Sequence, residues 1–114
     1  MSNYHEPVQE LSQETRDFTR ALVSLKEEIE AVDWYQQRID ASGNEELKAI
    51  LAHNRDEEIE HACMTLEWLR RNMPGWDTEL RAYLFKDGDI AHHDHHNEDD
   101  GVEQSSDLKI GKIK

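Results

Sequence analysis

EEIEHACMTLEWLRRN, residues 57–72, sets its apolar and ligand-type side chains along one helical stripe. Glu58, His61, Thr65, Trp68 and Leu69 recur one to four positions apart, and Leu47, Ile50, Leu51 and Asn54 extend the same face backwards. That period predicts a long helix, which Asn72 with Pro74-Gly75 ends. Ala41-Ser42-Gly43-Asn44 interrupts the pattern upstream, and Ser42 with Glu45 has the spacing of a capping box. Before the break, Leu11, Phe18, Leu25, Val32 and Ile39 recur every seven residues, with Ala21 and Tyr35 at companion positions and Leu22 and Ile29 alongside. This heptad seam marks a helix packed lengthwise against other helices, and Pro7 is placed to open it. A four-residue link makes the two helices antiparallel neighbours. The predicted fold class is therefore all-α: a two-helix hairpin plus a short third helix over Trp76 to Lys86, with Asp77 as its expected cap.

The 114 residues suffice for one small domain. A hydrophobic fraction of 36% against 34% charged residues is lean for a self-sufficient globule, so association is expected to supply part of the core. A formal charge of −13 argues against nucleic acid and anionic membranes as partners. No stretch approaches a membrane span, and Met1 to Val8 has neither the apolar run nor the basic region of a secretory leader. The lone Cys63 precludes an intramolecular disulfide and suits a reducing cytoplasmic setting. Organisation falls into three parts. Residues 1–86 form the helical domain. Residues 87–107, with eight acidic side chains and no lysine or arginine, read as a disordered acidic linker. Residues 108–114, LKIGKIK, alternate apolar and basic side chains and read as a short binding peptide.

The chemistry lies in the hairpin. Glu28 occupies a seam position where an ionised carboxylate is costly unless paired or bound to metal. Glu58 and His61, three residues apart, share the inward face of the second helix and can reach one ion. With Gly43 at the centre of the turn, Glu28 and Glu58 lie equally far from it, roughly 22 Å at ~1.5 Å per residue, which predicts matched heights. A lone Glu-x-x-His in an acidic helix is most simply a hydrogen-bonded pair; adding Glu28 favours metal. Carboxylates with one imidazole suit iron or manganese, although zinc could use the same ligands. Two carboxylates and one histidine cannot saturate a metal pair. A symmetric dimer, bringing Glu28, Glu58 and His61 from each subunit around two ions, would match a ferritin-like four-helix bundle. Glu27, Glu30, Glu57 and Glu60 read as solvated faces or as a cation-attracting surround. Cys63, Met64 and Trp68 read as packing residues.

EEIEAVDWYQQR (27–38) followed by HNRDEEIEHACMTLEWLRRN (53–72) strongly resembles the encapsulated ferritins, over about His5 to Lys86. The resemblance implies a hairpin that dimerises into a ferritin-like four-helix bundle, with dimers closing into a ring-shaped decamer. It implies that Glu28, Glu58 and His61 of both subunits are ferroxidase ligands for two iron ions per dimer interface, Glu58 being the bridging carboxylate. It further implies a metal entrance at Glu27 and Glu30 with Trp34 beside it. Tyr35 is placed either near the centre or as a core aromatic. The ending LKIGKIK is similar to the peptides that dock cargo on the inner wall of encapsulin shells, with Leu108, Ile110 and Ile113 in an apolar groove around Gly111. The expected location is thus the cytoplasm, inside an encapsulin nanocompartment. His92-His93-Asp94-His95-His96 is not part of the resemblance and reads as polar linker or as a loose metal reservoir. Three functions follow: a ferroxidase, a module whose dimers are joined by divalent ions, and a metal-free adaptor that delivers the tail peptide.

Overall fold

The computed structural model describes residues 3–91. A 3-10 turn at Val8–Glu10 precedes α1 (Gln13–Ala41), α2 (Glu45–Asn72) and α3 (Trp76–Tyr83), and no strand occurs among the described residues. This is the expected all-α hairpin with a short third helix. The chain forms two compact units, one ending at Leu69 and the other beginning at Arg70, within α2.

In the first unit, Pro7 caps the 3-10 turn rather than α1, and the guanidinium of Arg16 donates to the Val8 carbonyl. Ser12 caps α1, its hydroxyl accepting from the Thr15 amide at 3.0 Å. At the hairpin turn the expected capping box does not form. Asn44 is the cap: its side-chain oxygen accepts from the Leu47 amide at 2.9 Å, while Ser42 Oγ accepts from the Asn44 amide at 3.1 Å. A capping box needs its Glu at the third helical position, but α2 begins at Glu45, so that carboxylate comes two positions early.

Side-chain pairs fasten α1 to α2. Arg55 donates to Gln36 at 2.8 Å, Thr65 donates to Glu28 at 3.1 Å, and the rings of Phe18 and Trp68 meet edge to face at 6.3 Å. Phe18 and Trp68 are equidistant from Gly43, but Glu28 meets Thr65, seven residues beyond the equidistant Glu58. Side chains lean toward their own helix N-terminus, a direction that helps Glu28 and Thr65 approach. It does not by itself set which residues pair, since Phe18 and Trp68 meet at equal distance.

Two helices cover each other along one stripe only. The seam residues Phe18, Leu25, Val32 and Ile39 are half-buried, and among the described residues Leu69 is the one fully buried hydrophobic side chain. Ile29 and Met64 keep 57% and 58% of their surface in water, and Leu22, Ile50, Ile59 and Trp68 are exposed too. A single chain leaves much of its apolar surface uncovered.

In the second unit, Gly75 (φ +103°) precedes α3 in a backbone region that side chains rarely adopt. Asp77 is not the cap; it lies in the first turn and accepts from Arg70 and Arg81. The helix stops at Tyr83, short of Lys86, because Phe85 turns left-handed (φ +58°) two residues later. The first linker residues, 87–91, are exposed, whereas His92–His96 and Leu108–Lys114 lie outside the described residues. Among the described residues no helix is long and apolar enough to cross a membrane.

Candidate metal centre

The heptad that builds α1 sets Glu28 between Leu25 and Val32, half-buried on the side facing α2. On α2, Glu58 and His61 stand one turn apart, with the imidazole Nδ1 3.5 Å from Glu58 Oε1. At that length the contact is a loose one, and both groups keep lone pairs for other partners. Glu58 is the more enclosed, 28% exposed at its side chain against 47% for His61.

The link between α1 and the histidine-bearing turn of α2 is Thr65, whose hydroxyl lies 3.1 Å from Glu28 Oε1 and 3.1 Å from the His61 carbonyl oxygen. Thr65 also lines an open groove with Ala21, Ser24, Met64 and Trp68. Among the described residues, no three carboxylate, imidazole or thiolate side chains of one chain converge closely enough to hold an ion. The donors are nonetheless of the type that suits iron or manganese: two carboxylates and one imidazole on adjoining helices beside uncovered apolar surface.

The remaining predicted residues separate into distinct environments. Glu27 and Glu30 are exposed on α1, and Trp34, one turn after Glu30, keeps 49% of its surface in water. Tyr35 is half-buried with the Arg38 guanidinium over its ring, 5.2 Å from the centroid. Glu57 is engaged by His53 at 3.2 Å, and Glu60 is exposed. Trp68 packs on Phe18, as its place on the stripe suggested. Cys63 and Met64 are exposed in the single chain, so they do not pack within it. Sequence reasoning gave Thr65 no role. The available signal was its position four residues after His61 on the same stripe, where a hydroxyl can support a neighbouring ligand.

A helical hairpin of this topology, with a Glu on one helix and a Glu-x-x-His on the other, defines a ferritin-like protein of two-helix type. The chain belongs to the EncFtn-like family, whose model matches residues 3–87. It is similar to the "Ferritin-like protein" of Thermotoga maritima, 56% identical over 110 residues that cover 96% of each chain. It is also similar to the "Encapsulated ferritin-like protein" of Rhodospirillum rubrum, 64% identical over 87 residues. That match covers 76% of this chain and 62% of the relative, so the chain spans less than two thirds of that protein's length. Among solved structures, protein ne0167 from Nitrosomonas europaea superimposes with a TM-score of 0.77 at 63% identity, covering 80% of this chain and all, 100%, of the other.

Proposed function

We propose that this chain is a ferroxidase subunit that oxidises Fe(II) to Fe(III) with dioxygen at a centre assembled from two copies of itself. The observation that carries the reading is Glu28. Its carboxylate sits half-buried in an apolar seam, tied through Thr65 to the turn that bears His61, with Glu58 one turn away. A half-buried carboxylate that faces the second helix, with one oxygen bonded to Thr65, keeps its other oxygen available to a cation. Incomplete ligands and an uncovered apolar face on the same hairpin both call for a second copy.

In this reading Glu28, Glu58 and His61 of each copy hold two iron ions, Glu58 bridging them. The ions are the substrate. Four carboxylates, two from each copy, balance the charge of two Fe(II). After each ion passes one electron to dioxygen, the same carboxylates leave two positive charges uncompensated, which hydroxide formed from acidified bound water balances as Fe(III) hydrolyses. The neutral imidazole of His61 supplies a nitrogen ligand without adding charge. Glu27 and Glu30, exposed beside Trp34, raise the local cation concentration and form the metal entrance. The resemblance supports dimers closing into a ring-shaped decamer, docking by Leu108–Lys114 and iron storage in an encapsulin shell in the cytoplasm; the name "Encapsulated ferritin-like protein" supports the association with a shell alone.

The test is anaerobic addition of Fe(II) to the metal-free protein while its mass in solution is followed, then admission of oxygen and recording of Fe(III) absorbance. The parent should bind iron and oxidise it faster than buffer does. Glu28→Ala, Glu58→Ala and His61→Ala should each lose that acceleration; three variants matching the parent would refute the assignment. Zinc that changes the mass without any iron oxidation would instead indicate ion-joined dimers.

A further inference from the structure

Glu28 carries three rotatable side-chain bonds, yet a metal ligand must be held within fractions of an ångström of its working position. Among the described residues, one side chain hydrogen-bonds to it: Thr65, at 3.1 Å. The Thr65 hydroxyl has a single proton, and it also stands 3.1 Å from the His61 carbonyl oxygen one turn back. A threonine bonding to the carbonyl four residues earlier is common in helices and would mean little by itself. Here the same hydroxyl also faces a carboxylate from the other helix, and its one proton favours the charged acceptor, Glu28 Oε1, over the neutral carbonyl of His61. Thr65 is β-branched and half-buried, so its hydroxyl has little freedom to swing away. The bond engages Oε1 of Glu28 and leaves the lone pairs of Oε2 open to an ion.

We propose that Thr65 is the positioning residue of the metal centre, orienting the Glu28 carboxylate toward an ion shared with Glu58 and His61. The inference rests on the ferroxidase reading above. Thr65 touches neither iron nor oxygen; it acts through Glu28, as hydrogen-bond partners of ligating carboxylates do in metal sites generally. Removing such a partner typically costs ~10–100-fold in metal affinity or activity.

The experiment compares the full-length parent with Thr65→Val, Thr65→Ser and Glu28→Ala. Valine keeps the shape and deletes the hydroxyl, whereas serine keeps the hydroxyl. The readouts are the Kd for Fe(II) by anaerobic titration, KM and kcat for iron oxidation, and sedimentation mass with helix content. Thr65→Val should weaken Fe(II) binding by ~10–100-fold and raise KM with it, at unchanged mass and helicity. Thr65→Ser should restore binding to within about threefold of the parent, a rescue that a purely space-filling role would not produce. Parental or tighter binding by Thr65→Val, or Thr65→Ser as weak as Thr65→Val, overturns the positioning role. If Thr65→Val changes the sedimentation mass, Thr65→Ala takes its place against Thr65→Ser under the same criteria. Glu28→Ala separates the two claims. If it is inactive while Thr65→Val is parental, only the positioning role fails; if Glu28→Ala is itself parental, the centre and the role fall together.

Discussion

Ile29 stands next to Glu28 on α1 and keeps 57% of its surface in water, an expensive place for a branched aliphatic side chain. If a second copy covers that face, Ile29→Ala weakens self-association by a calculable amount. Complete burial of an isoleucine is worth about 1.5–3 kcal/mol, and roughly half of that remains to be gained from the exposed part, about 1–1.5 kcal/mol. A two-fold interface counts each residue twice, giving about 2–3 kcal/mol per dimer. At 1.4 kcal/mol per decade, the dissociation constant rises roughly 30–150-fold. Sedimentation velocity over a concentration series measures this directly, and far-ultraviolet circular dichroism reports whether the hairpin survives. Unchanged self-association with intact helicity would refute the reasoning, because the exposed face would then lie outside the interface.

Other outcomes follow from individual contacts. Asn44→Ala removes the α2 cap and should cost ~1 kcal/mol, seen as a Tm several degrees lower; Ser42→Ala, absent from any capping box, should cost less. Glu27→Gln combined with Glu30→Gln should slow iron uptake at low salt and converge with the parent as salt screens the exposed charges, which stopped-flow oxidation at two ionic strengths would detect. Phe18→Ala removes the edge-to-face partner of Trp68 and should shift the indole fluorescence while lowering Tm.

The heptads made the hairpin legible because burial of one stripe is written directly into residue spacing, and the family resemblance of residues 27–38 and 53–72 was equally plain. Fine detail was not. Ser42 and Asn44 are both good caps, and which one serves depends on where the helix starts, a matter of a single residue. Equal sequence distance from Gly43 suggested that Glu28 and Glu58 meet at one height. It gave no reason to single out Thr65, the residue whose hydroxyl Glu28 accepts from. Cys63 and Met64 were read as packing residues, but both are exposed in the single chain.

The central claim is that the active centre exists only when two copies meet. Its most direct test is the rate of Fe(II) oxidation per chain across a dilution series spanning the dissociation measured by sedimentation, using Ile29→Ala if the parent dissociates too weakly. The account predicts a per-chain rate that falls in step with the dimer fraction and vanishes in the monomer. A monomer that oxidises iron at the undiluted per-chain rate would contradict it.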